Sequence, residues 1–292
     1  SPGTGGSTLT YGYIQLKTPS TAAVRVLNTE YTAGEAKREE KTAKAVIMGG
    51  SFEVDRVLQN TSGAVDELAF QAQQKIKATA NYFHNLVVNG TSAASGTGYV
   101  TNTFDGLRKA LTGTSNDFTT DIDLSDSTKL DSNANAFVDQ LDQLTHMVDG
   151  GASLLLMNTA MLLKVRAAAR RAGYYDRKKD DFGRAVEYFG DIPIMDAGMY
   201  YNGTKSVDVI DTSTPGTSVA GTSSIYAVNI ALDGFHGISP TGTGVINSYM
   251  PDLKAPGAVK KGEVELVAGV VLKNTLKAAA LNGIALKAKT SV

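Results

Sequence analysis

The chain has 292 residues, 42% of them hydrophobic and 20% charged, which is the composition of a globular protein with a sizeable core, not of a disordered or membrane chain. A formal net charge of -1 excludes a global basic field for nucleic acid, and the absence of cysteine excludes disulfides, thiolate metal sites and cysteine nucleophiles. No apolar run approaches the ~20 residues that span a bilayer, and the N-terminal SPGTGGSTLT lacks the basic start and apolar run of a signal peptide.

Residues 1–20 are rich in Gly, Ser, Thr and Pro without a sustained period and read as an extended arm. Ala22 to Glu30 alternate Val24 and Val26 with polar neighbours, a strand pattern. The next stretch, EYTAGEAKREEKTAK, sets both signs of charge in what reads as a long loop. Its Glu35, Lys37, Arg38, Glu39, Glu40 and Lys41 are candidate contact residues. A strand pattern resumes through Val46, Met48, Phe52 and Val54, with a bulge or kink expected at Gly49-Gly50. Residues 21–60 thus predict an extended hairpin with a charged tip. A lone hairpin is marginal in water, so a surface outside it must cover it.

From about Gly63 to Val88 apolar residues recur at helical spacing (Val65, Leu68, Ala72, Ile76, Phe83, Leu86), with Thr61 or Ser62 as cap and Asn89-Gly90 as a left-handed stop. At ~1.5 Å per residue this helix is a rod of roughly 39 Å. FDGLRKAL predicts a short helix, residues 112–132 a polar loop, and NANAFVDQLDQLTHMV an amphipathic helix. ASLLLMN reads as a buried strand, and TAMLLKVRAAARRAGYY as a helix capped by Thr159 that ends near Gly173. A basic turn and a strand with Pro193 near a sheet edge follow, then a Thr/Ser/Gly-rich meander to about Ile246. The end predicts strands through Val264, Leu266 and Val267 and through Val270 to Leu272, with a bulge at Ala268-Gly269 between them, then an Ala-rich turn and a last strand. The fold class is α+β.

Catalytic templates fail. There is no Gly-Lys dipeptide for a phosphate loop, no third glycine for a dinucleotide fingerprint, no His-Glu-x-x-His and no Gly-x-Ser-x-Gly. His84 and His146 fall in helices and read as satisfied, partly buried imidazoles, and His236 lies in a Gly-rich turn. Asp117, Asp121, Asp123 and Asp126 depart from a calcium loop, because Asp126 and Ser132 stand where that loop needs Gly and Glu. A cluster of cations comprises Arg166, Arg170, Arg171, Arg177, Lys178 and Lys179, with Arg166 and Arg170 on one helix face. It reads either as a solvated helix end or as a contact for acidic neighbours or packaged nucleic acid, the latter weakened by Asp180, Asp181 and Glu187. No catalytic, metal or cofactor residue is assigned, and no enzyme activity is expected.

The order of parts resembles the Hong Kong 97-type major capsid protein of tailed bacteriophages. VVNGT closing the long helix before FDGL, GGASLLLMNTAMLLKVRAA, GDIPIMDAG and the terminal KKGEVELVAGVVLKNTLKAAALNGIALK are similar to that family's local patterns in the same order. The resemblance implies an N-terminal arm (1–20), an E-loop hairpin with flanking strands (21–60), a peripheral domain with a spine helix (61–112), an axial domain (113–245) and closing strands of the peripheral domain (246–292). It also implies self-assembly into pentamers and hexamers that enclose double-stranded DNA, with neighbouring capsomers bound through the E-loop and arm. Portal, scaffold and decoration proteins would be further partners, and non-specific DNA contact and a place in the virion shell follow, with no membrane. Removal of a leader before Ser1 fits the same picture. Some members join subunits by Lys–Asn cross-links; Lys37, Lys41, Lys44 and Asn274 lack the surrounding pattern, so none is expected. An encapsulin-type bacterial compartment shell is the alternative, and an α+β enzyme or adhesin using His236 or the Asp117–Asp126 loop comes after it.

Overall fold

Alternation and helical stripes in the chain translate into four sheets and five helices among the described residues, which in the computed structural model are 8–61, 66–173, 176–179, 185–240 and 245–290. The chain opens with β1 (Thr10–Thr18), which pairs antiparallel with β2 (Lys37–Lys44), so Tyr13 faces Lys41 and Ile14 faces Glu40. This corrects the hairpin twice. Residues 10–18, read as arm, form its first strand, and the charged run, read as its tip, forms its second. Residues 22–30 are not a strand; they lie in the connecting tip, where Val24 is 99% exposed.

β3 (Val46–Asp55) leaves the hairpin and runs antiparallel to β14 (Val259–Leu272) without a register shift. No bulge occurs at Gly49-Gly50. Gly49 is required for another reason: its φ is +152°, and a Cβ there would stand 1.9 Å from the Val264 carbonyl oxygen. The bulge expected at Ala268-Gly269 is also absent, and β14 continues to pair with β12 (Phe235–Ile238). Its other partner is β13 (Ile246–Tyr249).

A short helix α1 (Arg56–Thr61) precedes the long α2 (Glu67–Asn89). The expected start at Gly63, with Ser62 and Val65, falls outside the described residues. The observed cap is Asp66, whose side chain accepts from the Ala69 N–H. Gly90 ends the helix in extended backbone, φ −66°, not left-handed. Only glycine fits, because a Cβ would lie 2.6 Å from both the Leu86 and Phe104 carbonyl oxygens. Ala72 and Leu86 bury the inner stripe of α2 against β3 and β14, with Leu68, Ile76 and Phe83 packed beside them.

After α3 (Leu107–Leu111), the segment expected as loop holds β4 (Asp117–Thr119) and the start of α4 (Ser127–His146). Then come β5 (Leu154–Met157), α5 (Thr159–Arg171), β6 (Asp176–Lys179), β7 (Ala185–Phe189) and β8 (Ile192–Asp196). α5 is capped by Asn158, not Thr159: the Asn158 side chain accepts from the Met161 N–H at 2.8 Å. β6 replaces the expected basic turn. β9 (Met199–Tyr201) and β10 (Ser206–Asp208) form a separate pair, and β11 (Gly221–Val228) and β15 (Ala278–Lys287) complete the strands. The Ala-rich turn is in fact the first half of β15.

A seven-stranded sheet has the order β4-β15-β11-β5-β8-β7-β6. β15, expected with the closing strands, is thus one of its inner strands. Pro193 is not at an edge, since β8 lies between β5 and β7, but it stands one residue before the β5 ladder begins at Ile194. Alternation along β11 and β15 builds both faces. Ile225, Ala227, Ala279 and Leu281 pack with Phe137, Leu141, Met161 and Val165 of α4 and α5. Tyr226, Val228, Ala278 and Ala280 pack with Val88, Leu107 and Leu111.

Candidate assembly surfaces

The β1–β2 hairpin has two unlike faces. Tyr11, Tyr13 and Gln15 turn toward the body, where Gln15 is buried and its Nε2 donates to the Leu272 carbonyl at 3.3 Å. Tyr11 stacks on Tyr13, meets the His236 ring edge-on at 6.0 Å between centroids, and carries the Lys273 ammonium 5.5 Å above its ring. The opposite face carries Ile14, 59% exposed, and Leu16, 39% exposed, between Arg38 and Glu40. Beneath the hairpin lies a cleft of about 740 Å³ lined by Tyr13, Lys41, Lys44, Asp105, Lys109 and Leu272, among others.

All six candidate contact residues are exposed, but not at a tip. Lys37, Arg38, Glu39, Glu40 and Lys41 lie along β2, and Glu35 alone is in the connecting loop. Sequence reasoning missed the tip itself, where Val24, Val26, Leu27 and Tyr31 are 66–99% exposed. Solitary exposed apolar residues are ordinary; four in one loop mark an interaction surface.

The basic cluster is largely neutralised where it is described. Arg166 donates through Nε to the Glu187 carboxylate at 2.5 Å, a half-buried pair joining α5 to β7. Arg171 pairs with Asp131 of α4. Arg170 is exposed. The side chains of Arg177, Lys178 and Lys179 lie outside the described residues.

The remaining candidates do not form one site, and Asp121 is exposed. Asp126 caps α4 by accepting from the Lys129 N–H, Asp123 takes the Lys129 ammonium at 2.7 Å, and Asp117 accepts from Asn282 at 2.6 Å. The Lys129 hydrogen bond and those from Ser125 hold the Asp123 carboxyl below the usual carboxylate range against the burial that opposes them. His84 and His146 are exposed, contrary to the partly buried reading. His236 is buried at 8% exposure, and neither ring nitrogen reaches a hydrogen-bond partner among the described residues. Burial holds its pKa below the usual imidazole value and the charge of Lys273 adds to this; the Gly234 backbone lies toward the ring and favours the charged form without a hydrogen bond of good geometry. No described helix is long and apolar enough to cross a membrane.

No family model and no curated protein matches the chain. Solved structures match along its whole length. The encapsulin complex of Synechococcus elongatus superposes with a TM-score of 0.67 at 12% identity, over 100% of this chain and 88% of the other. The structure from Mycobacterium phage Ogopogo gives 0.56 at 12% identity (94% and 87%), and the capsid of Myoviridae phage XM1 gives 0.55 at 14% identity (96% and 87%). The chain has the Hong Kong 97-type capsid fold. The resemblance set an E-loop where β2 and the connecting tip of the β1–β2 hairpin stand, and a spine helix where α2 stands.

Proposed function

We propose that this chain is the structural subunit of an icosahedral phage head, assembling into pentamers and hexamers around double-stranded DNA. The observation that carries this reading is the correspondence, over 94–100% of the chain, with an encapsulin complex, a Mycobacterium phage structure and the capsid of Myoviridae phage XM1. An E-loop that offers Ile14, Leu16 and an apolar tip to solvent supports it, because only another molecule can bury them. In this reading residues 113–245 are the axial domain, and 61–112 and 246–292 the peripheral domain, tied to the axial one through β15. The arm and the hairpin flanks occupy 1–60, with the hairpin beginning at Thr10. Copies of itself are the principal partner. Portal, scaffold and decoration proteins follow from a phage role, as do assembly in the host cytoplasm, a final place in the virion and no catalytic activity. Arg170 is an exposed cation available for non-specific DNA contact.

Electron microscopy of the purified chain, with light scattering over a concentration series, tests the proposal. Closed shells or rings of five or six are expected. A chain that stays monomeric at every concentration, also when produced with the genes that flank it, would overturn it. A second reading, the shell of a bacterial compartment, is favoured by the higher TM-score of the encapsulin. Shells purified from the native source separate the two: DNA inside supports the phage head, a protein cargo the compartment.

A further inference from the structure

The end of α2 forms one wall of a groove of about 370 Å³ that residues 98–100, Arg108 and the β9–β10 pair complete. Asn85 lies in that wall with 2% exposure. Its Oδ1 accepts from Asn89 Nδ2 at 2.9 Å, but its own Nδ2 has no partner among the described residues. A buried N–H without an acceptor is costly, so the groove is incomplete as it stands. Opposite it stand Asp208, half-buried, and Asp211, with no cation at ion-pair distance from either among the described residues. Burial, then Asp196, pushes the Asp208 carboxyl above its ordinary range; Lys287 pulls the other way and Asp211 adds to the rise. Tyr200, Val207 and Tyr99, whose ring carries the Arg108 guanidinium at 4.9 Å, give the groove apolar and aromatic surface.

Such a groove fits an extended peptide that brings a cation flanked by apolar side chains. The chain carries one. In the E-loop tip, residues 19–36, Arg25 is the sole cation, between Val24 at 99% exposure and Val26 at 71%. Its guanidinium rests 5.5 Å over Tyr31 and donates to the Thr29 carbonyl, and the tip's hydrogen bonds run within the loop. Eight paired residues at ~3.4 Å each carry this tip roughly 27 Å out along the hairpin.

We infer that the E-loop tip of one copy docks on this groove of a neighbouring copy, with Arg25 entering between Asp208 and Asp211 beside the wall that holds Asn85. The inference rests on the assembly proposed above and adds to it a specific residue pairing. A guanidinium suits the site because its fork meets carboxylates and its flat face lies on aromatic rings.

Charge reversal with rescue tests the pairing on the full-length chain. Arg25→Glu, and separately Asp208→Lys with Asp211→Lys, should each lower the assembled fraction in sedimentation velocity by about tenfold or more, and mixing the two variants should restore it. Thermal melts of each variant check that the fold survives. Reversals without effect, or a mixture that does not recover, would overturn the pairing. Because the chain has no cysteine, a second measurement is independent of shell formation. Chains carrying Val24→Cys, mixed with chains carrying Asn202→Cys and oxidised, should give a mixed dimer on a non-reducing gel. Monomers alone would refute the contact. A mixed dimer from the cysteine variants, together with a wild-type chain that forms no shells, would sink the capsid proposal and leave the docking intact.

Discussion

Single buried amides fasten the seven-stranded sheet to its surroundings. Asn158 accepts from the Met161 N–H and donates through Nδ2 to the Ile210 carbonyl at 2.8 Å, and to Thr212 and Ser223 at 3.1 Å, at 1% exposure. It therefore caps α5 and ties β5 to the chain entering β11. Asn158→Ala should cost about 2–4 kcal/mol, the sum of a lost cap and unsatisfied buried acceptors, and a calorimetric melt would measure it. Asn158→Asp is the sharper probe: it keeps the cap, loses the donor and buries a charge beside the Ile210 carbonyl, so it should be no better than alanine. Gly49→Ala should cost more than about 3 kcal/mol, because the new Cβ collides with backbone and not with a side chain that can move aside. At this scale the sequence was partly legible. Asn and Gly at element ends announced caps and stops, but which of two neighbours served, Asn158 or Thr159, depended on acceptors some fifty residues away. Gly90 was recognised as a stop for the wrong reason, since a crossing carbonyl, not a left-handed φ, demands it.

Elements buried on one face were readable, and elements without a buried face were not. The stripe on α2, the inner residues of α4 and the alternation of Met48, Phe52 and Val54 on β3 gave away their partners. β2 is exposed on both faces except at Ala43, so its pairing with β1 leaves no hydrophobic period, and its charges resembled a turn. Val24 and Val26 alternated as a strand does and yet face solvent in a connecting loop; the docking proposed above would bury them on a neighbouring copy. The hinge where this hairpin meets the body carries a pH dependence. His236 is buried among Tyr11 of β1 and Lys273 beyond β14, and no carboxylate among the described residues acts on it. Its pKa is lowered on folding, so the unfolded chain binds the extra proton first. Its contribution to stability is present above the free imidazole value of ~6.5 and is lost as pH falls through it toward the folded value. The melting temperature should therefore drop between about pH 7 and pH 5, and His236→Phe should flatten that part of the profile. An unchanged slope in the variant would show that another group titrates there.

Across the whole molecule, cohesion and registry come from different residues. The exposed ions of β2, Lys37 to Lys41, contribute ~0–1 kcal/mol per pair wherever they meet opposite charges. They can bias which copy binds where, but they cannot hold a shell together. Interfaces of ordinary strength bury roughly 800 Å² per partner, and among the surfaces here that can supply apolar area are the outer hairpin face, with Ile14 and Leu16, and the tip with Val24, Val26 and Leu27. Salt separates the two contributions. Raising ionic strength from about 0.1 M to 1 M shortens the screening length from ~10 Å to ~3 Å, which removes most of what exposed ion pairs contribute and leaves apolar burial intact. Assembled particles should therefore persist at 1 M NaCl, while their rate of formation from subunits, followed by light scattering, falls as electrostatic steering is lost. Ile14→Asp with Leu16→Asp should have the opposite signature: subunits that melt normally, since neither residue is buried in the isolated chain, yet fail to form particles at any salt concentration. Particles that dissolve in salt and tolerate the two aspartates would mean that charge holds the shell and that the hairpin's apolar face is idle.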